Sequence, residues 1–552
     1  MDSYKTVLGI IFSFLVLIGH QYLFTGSEST KNPRETNLAK VQSATAIPLT
    51  IPPIEAATTV SASTPATVPK TIAHPKIDSR NIIVDTDLYT ATFSEAGGVL
   101  TSFVLKKYKE ENISNSSGMQ IIRSDAAHGY PLGFSWGSIV PTTPHYTSDN
   151  RTVEFLYNEA NFRIKWQGNG LEIQRKYSFS KDSYLINIAV QVKNVSHGVL
   201  HGAAALHQFG SPAVEDNLAK RFLFSGPAYY AGGSKVEISG NEFKKGPLTI
   251  RGQADWTACE CNYFMNAVLL RPGSMESLTV QSAGGDVVEM IIKDKLDTLQ
   301  PDEVKTYRYK LYIGPKKLDV LQPVGLNLDK AINYGWFNSL SQLTLTLLNF
   351  FYSIVHNYGI AIILVTIIFK AMLWPLTRKG MQSMHNIQQL QPEVTKLKQK
   401  YKGESFKRNQ AVAKLYKANR VNPLVGCFPM FFQIPVFFAL YKVLFMSVEL
   451  RHAPFMLWIN DLSSPDRLYL GVDIPYVGGF PVLTLLMGAS MFYQQKITAT
   501  NAGPIQAKIT MFIPVVFTVL FVNFASGLVL YWFVSNLLTI FQHYMITRQH
   551  KA

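Results

Sequence analysis

A lysine sits inside an apolar run, IIFKAMLWPLTRKG, from Ile367 to Gly380. A charge at the centre of a bilayer costs roughly 2.5–3.5 kcal/mol even on the mildest scale, so a membrane-length segment that keeps Lys370 must give it water or polar partners. The plainer reading is snorkelling. Arg378 follows about 12 Å along a helix, and a long aliphatic stem can carry an ammonium to the headgroups.

The rest of the chain bears on that choice. Five apolar segments occupy its last third, Tyr358 to Thr377, Cys427 to Val448, Gly479 to Gln494, Ile509 to Phe524 and Gly527 to Met545. The fourth and fifth are short for a hydrocarbon core of about 30 Å, which suggests local thinning or an incomplete lipid-facing wall. A sixth apolar run lies at residues 1–24; no convincing A-x-A site follows it, so it reads as an uncleaved anchor with its N-terminus in the cytoplasm. Residues 25–79 are rich in Ser, Thr, Pro and Ala and read as a flexible tether. From 80 to 328 the dominant period is two, as in YTATF, INIAVQV and YRYKLYI, and GG, NG and PG turns punctuate the runs. This predicts a large all-β sandwich outside the membrane. Over 329–348 the period switches, with Trp336, Leu340, Leu343 and Leu347 on one helical face, which predicts an amphipathic helix in the outer interface.

Charge orients these pieces. The chain carries 52 Lys and Arg against 37 Asp and Glu, an excess that nucleic-acid binding or basic membrane loops could each produce. The excess is concentrated at 378–422, where eleven cations face only Glu393 and Glu404, so this segment is expected in the cytoplasm. Its apolar positions, Met381, Met384, Ile387, Leu390, Val394 and Leu397, then Ala411, Leu415 and Ala418, predict a helical hairpin broken at Lys402–Gly403. Such a charge is ordinarily a solvated face; anionic lipid, ribosomal RNA or a nascent chain are the functional alternatives. The loop from Glu449 to Gly478 carries Glu449, Asp461, Asp466 and Asp473 against Arg451 and Arg467, which fits the opposite side.

Motifs for chemistry are few. GFSWG at Gly133–Gly137 matches G-x-S-x-G, but a nucleophile elbow needs a following helix and the prolines of SIVPTTP forbid one. None of the 12 histidines precedes a Glu, so H-E-x-x-H is absent, and without a Gly-Lys dipeptide there is no Walker A loop. A bridge between Cys259 and Cys261 would be strained on a strand. Two free thiols are expected there, with a metal site as the lesser alternative, and Cys427 reads as a small hydrophobe. The membrane part instead collects polar groups: Thr366, Lys370 and Trp374 at i, i+4 and i+8, Gln433 between Pro429 and Pro435, Asn523 and Ser526 at a turn, and Ser535 and Asn536 in mid-span. Any one could be a helix-packing residue. Their convergence beside a lysine favours a hydrated cavity.

At WPLTRKGMQSM, LQPEVTKLK, KANRVNPLVGCFPMFFQIPVFFALY, SVELRHAPFMLWINDLS and SGLVLYWFVSNLLTI the chain resembles the YidC membrane protein insertases of Gram-negative bacteria, relatives of the mitochondrial Oxa-type and chloroplast Alb-type proteins. These stretches cover most of residues 331–547. The resemblance implies a polytopic α-helical membrane protein of six spans with a large all-β periplasmic sandwich domain and a cytoplasmic helical hairpin. It implies an insertase core over 349–547, a short cytoplasmic tail at 548–552, a bacterial inner-membrane location, and a groove open to cytoplasm and lipid but closed outside. We expect Lys370, Thr366, Gln433, Trp532, Ser535 and Asn536 to line that groove. The family usually holds an Arg where Lys370 stands, so the charge is kept and the planar five-donor fork is lost. Lys442 is a further intramembrane cation, expected to snorkel outward toward Glu449, and the loop GVDIPYVGGFP is longer than expected.

Implied partners are nascent membrane proteins, the Sec translocon, membrane lipid and the ribosome through Lys396, Lys398, Lys400 and Lys402, with no DNA, no catalytic residue, no metal and no cofactor. Two other classes remain. A polytopic transporter should show paired repeats with broken helices, and none is visible. A membrane-anchored carbohydrate-binding protein is the second, because the family's β domain resembles the sugar-mutarotase sandwich.

Overall fold

The computed structural model describes residues 80–549 apart from 124, 126–127, 141–143, 149–152, 212–223, 420–422, 472–477 and 499–503. The expected anchor at 1–24, the tether at 25–79, the side chain of Cys427, most of the GVDIPYVGGFP loop and the end of the tail lie outside the described residues.

Period-two runs become strands wherever alternate residues can reach one apolar core. Along Leu171–Ser180 every second residue is buried, and along Leu185–Asn194 the inward set is Ile186, Ile188, Val190 and Val192. These strands belong to a nine-stranded antiparallel sheet; a five-stranded sheet packs on it, and one cluster that includes Tyr177, Ile188, Trp136 and Ile292 joins the two. One inward position of Leu171–Ser180 is Arg175, fully buried between the rings of Tyr146 and Tyr177, its Nη2 donating to Leu132 O at 2.5 Å. Cys259 is a buried free thiol, and Cys261 Sγ donates to Phe264 O at 3.4 Å.

The chain leaves the sandwich through a buried ion cluster. Glu260 meets Lys235 and Lys316, the latter at 2.9 Å, and both lysines are almost wholly buried. Burial raises the Glu260 pKa, but the two ammonium groups outweigh it and hold the carboxyl below its usual range. The helix expected over 329–348 begins later. Asn333 Oδ1 accepts from Gly335 N at 2.8 Å and Gly335 takes φ +72°, which turns the chain through short 3-10 segments before α1 starts at Asn338. That helix, Asn338–Val355, ends at His356 in the left-handed region. Its buried face is Ser341, Thr344, Leu345 and Leu348, whereas Leu343, Phe350 and Ile354 are exposed and Trp336 just before it is 95% exposed. Ser341 and Thr344 share the buried face with Leu345 and Leu348, while Leu343, Phe350 and Ile354 stay outside, so hydrophobicity alone does not decide which face of α1 meets the protein.

Among the described residues seven helices follow: α2 (Tyr358–Gln389), α3 (Gln391–Lys400), α4 (Ser405–Ala418), α5 (Pro423–Met446), α6 (Val482–Thr498), α7 (Pro504–Phe521) and α8 (Ser526–Gln549). Among the described residues one stretch, Tyr358–Ser383 of α2, is long and apolar enough to cross a membrane; Phe432–Met446 and Met511–Phe521 are shorter apolar stretches. Asn357 caps α2, its Oδ1 accepting from Ile360 N at 3.1 Å. At the end next to the β domain the described residues of the segment after α5, 447–471 and 478–481, reach the ends of α6 and α7. Asp466 accepts from Leu483 N at 2.6 Å, Thr484 N at 3.2 Å and Trp458 Nε1 at 2.6 Å, which caps α6. Arg467 donates to Val522 O and Asn523 Oδ1, a cation at the C-terminus of α7. Gly527 has no room for a side chain, since a Cβ there would lie 2.9 Å from Leu444 and 3.1 Å from Leu462 O.

Candidate functional site

Helices α2, α5 and α8 pack against one another and carry the polar groups. On α2 the buried face runs through Ile362, Val365, Thr366 and Phe369, and Lys370 follows at the margin of that face. Lys370 Nζ donates to Gln433 Oε1 on α5 at 3.0 Å and to Thr539 Oγ1 on α8 at 3.0 Å. The Gln433 amide points its nitrogen the other way, toward Ser535 Oγ at 2.7 Å and Tyr531 OH at 3.2 Å. Tyr531, Ser535 and Thr539 are spaced by four, so α8 presents three hydroxyls in line.

About two turns further along α2 the pattern repeats. Pro375 removes one backbone donor from the helix, Thr377 Oγ1 donates back to Leu373 O and Trp374 O, and Gln542 Nε2 donates to Thr377 Oγ1 at 2.6 Å. The ammonium is thus held by neutral acceptors from two other helices; among the described residues no carboxylate pairs with it. A cation so placed has its desolvation offset by hydrogen bonds and keeps its attraction for an incoming anion.

Of the residues singled out from sequence, the structure gathers Lys370, Gln433 and Ser535. Thr366 is fully buried with its hydroxyl on its own helix, donating to Ile362 O at 2.6 Å. Asn536 faces α6, where Nδ2 donates to Ser490 Oγ at 3.0 Å. Trp532 packs among Phe437, Phe517 and Phe521, an aromatic seam between α5, α7 and α8. Lys442 lies within electrostatic reach of Glu237 on the β domain, away from the Lys370 cluster. Thr539, Tyr531 and Gln542 were not anticipated; the four-residue spacing from Ser535 is the signal that would have found the first two. Lys396, Lys398, Lys400 and Lys402 are exposed on α3 and the turn after it.

Comparisons with known proteins match both parts of the chain. A family described as 60Kd inner membrane protein matches residues 350–552, and one described as YidC periplasmic domain matches residues 81–347. A membrane protein insertase YidC of Geotalea daltonii is 37% identical over 557 residues, 99% of each chain, and one of Geotalea uraniireducens is 36% identical over 550 residues, again 99% of each. A crystal structure of an active YidC insertase with its first transmembrane domain resolved covers 84% of this chain and 91% of its own, at 19% identity and a TM-score of 0.37. With full-length relatives above a third identical and both parts of the chain matched, the protein belongs to the YidC membrane protein insertase family.

Proposed function

We propose that the protein inserts and helps fold membrane proteins of the bacterial inner membrane, with Lys370 as the residue that receives the polar, acidic part of a client. The observation that carries this reading is the Lys370 ammonium held by Gln433 and Thr539 with no paired carboxylate among the described residues. A structural lysine in lipid would be neutralised by an acid or drawn to the headgroups. This one is held by hydrogen bonds to two other helices and is left electrostatically unsaturated.

In this reading the chain spans the membrane six times with its N-terminus in the cytoplasm, and the groove lined by Lys370, Gln433, Ser535, Tyr531 and Thr539 shortens the apolar barrier. An acidic segment of the client enters against Lys370. Its outward movement is favoured by an inside-negative potential, about 2.3 kcal/mol per charge per 100 mV, while partition of the client's apolar helix into lipid supplies the larger drive. The segment around Asp466 and Arg467, pinned by their hydrogen bonds to the ends of α6 and α7, lies at the periplasmic end. The basic pair α3 and α4 forms the cytoplasmic hairpin, and the Sec translocon and the ribosome are partners on the two routes to the groove.

The test is insertion of paired clients, one with an acidic and one with a neutral translocated segment, by Lys370→Arg, Lys370→Ala and Lys370→Glu at equal protein levels. Arg should be tolerated. Ala and Glu should slow the acidic client at least several-fold more than the neutral one. Equal activity of the alanine variant on both clients would return Lys370 to a purely structural role.

A further inference from the structure

The GFSWG segment lacks the helix of a nucleophile elbow, yet the fold brings it two other partners. Ser135 lies on Gly133–Trp136, an edge strand of the five-stranded sheet, opposite Ala205. His207 is two residues along the neighbouring strand Ala204–Gly210, and Glu289, opposite Phe209, comes from the next strand, Val287–Asp294. Phe134, Trp136, Leu206, Met290 and Ile292 face the core, so alternation puts Ser135, His207 and Glu289 together on the outer face.

There Ser135 Oγ lies 3.3 Å from His207 Nε2, and His207 Nδ1 lies 2.7 Å from Glu289 Oε1. Gln281 Nε2 donates to the second carboxylate oxygen at 2.7 Å. Burial raises the Glu289 pKa, but the hydrogen bonds from His207 and Gln281 outweigh it and hold the carboxyl below its ordinary range. An ionised carboxylate only accepts. The proton of a neutral imidazole must therefore sit on Nδ1, which leaves the Nε2 lone pair to accept from the serine hydroxyl. The glycines of the motif have their own reasons. A Cβ at Gly133 would come within 3.3 Å of His207 Cβ, and Gly137 adopts φ +56° where the strand turns away. The His207 and Glu289 side chains keep 26% and 13% exposure, enough for a substrate lying on the sheet face to reach the serine.

We propose that Ser135, His207 and Glu289 form a nucleophilic serine site on the β domain that takes an acyl group from a carboxylic ester, an activity separate from insertion. Ser135 Oγ attacks the carbonyl carbon while His207 Nε2 takes the hydroxyl proton. The bond to the ester oxygen breaks, and the imidazolium returns that proton to the departing alcohol. Water then repeats the sequence on the acyl-serine, releasing the carboxylic acid and restoring the hydroxyl. Glu289 is a positioning residue, which fixes the tautomer and steadies the imidazolium. An open sheet face suits an ester better than an amide, because an alcohol leaves more readily than an amine.

The experiment treats the full chain in detergent with a fluorophosphonate probe, maps the label by peptide mass spectrometry and follows hydrolysis of p-nitrophenyl acetate in parallel. The wild-type protein should carry one label, on Ser135, and Ser135→Ala should abolish it. His207→Gln should slow labelling by roughly 100-fold or more. Glu289→Gln should slow it at least about tenfold, since its amide can donate to Nδ1 and reverse the tautomer, and Glu289→Asp should recover part of the rate. Thermal melting checks that each variant is folded; if His207→Gln is not, the alanine variant decides alone. An unlabelled wild-type protein, a label on another residue, or a folded Ser135→Ala or His207→Gln variant that reacts at the wild-type rate would overturn the proposal.

Discussion

Asp294 is a carboxyl almost closed off from water inside the β domain, where Tyr309 OH donates to its Oδ2 at 2.6 Å. Burial pushes its pKa up to about 6, with Asp297 adding to the rise against the Tyr309 and Ser274 hydroxyls. An unfolded Asp titrates near 3.9, so the native state binds the extra proton between these values. The stability this gives is fully present below about pH 4 and is lost as pH rises through about 6; two pKa units bound the loss at about 3 kcal/mol. Asp294→Asn, which keeps an acceptor for Tyr309 and cannot ionise, should stabilise the domain at pH 7.5 by about 1–2 kcal/mol and flatten this part of the profile. Melting curves of both proteins from pH 4 to 8 check it, and an unchanged difference across that range would remove Asp294 as the cause. Asp294 is hard to single out from sequence because an aspartate at a strand end normally reads as solvated. Lys370, Gln433 and Ser535 were legible for the opposite reason: each is polar where its surroundings are apolar. Thr366 was equally conspicuous, but a threonine in a helix can satisfy its hydroxyl on the carbonyl four residues back, and the sequence does not say which option a given threonine takes.

Helices α3 and α4 show what an element can carry beyond its own stability. Val394 is buried and the two helices touch, whereas Lys396, Lys398, Lys400 and Lys402 all project into solvent. The two helices lie side by side, and the lysines stay exposed to an anionic partner. Replacing those four with Gln should leave the helices folded by circular dichroism, weaken ribosome recruitment and lower the salt dependence of whatever binding remains, because fewer counterions are released. Unchanged recruitment would make this only a solvated face. At this scale most of the fold could be read in advance: strict alternation marked the strands, and unbroken apolar runs marked α2, α5, α6, α7 and α8. The start of α1 could not, because it depends on an Asn333 side chain turning the backbone at Gly335, an event with no periodicity. Which face of α1 meets the protein was also hidden. An amphipathic pattern gives two faces, but which one meets protein depends on whether lipid covers the other.

Among the described residues, Arg451 makes polar contacts between the two parts of the molecule. From the loop after α5 its guanidinium donates to Lys109 O at 2.6 Å and Glu110 O at 2.9 Å on the β domain, and it lies over the Phe264 ring. Asn112 Nδ2 adds a bond to Asn460 O at 2.8 Å. Two carbonyls held by one planar fork fix an angle as well as a distance, which a lysine cannot reproduce. None of these residues reaches Lys370, Gln433 or Thr539. Arg451→Ala and Arg451→Lys should therefore both loosen the β domain while leaving the groove intact. A cysteine pair at Asn112 and Asn460 reports the loosening: its cross-linking should be rapid and nearly complete with Arg451 present and several-fold slower in either variant. Insertion of a single-span client should continue in both variants, since Lys370 and the polar line on α8 stay in place. If insertion instead fell in step with cross-linking at equal protein levels, the β domain would have to be held at a fixed angle for the groove to work, and Arg451 would belong to the insertion machinery.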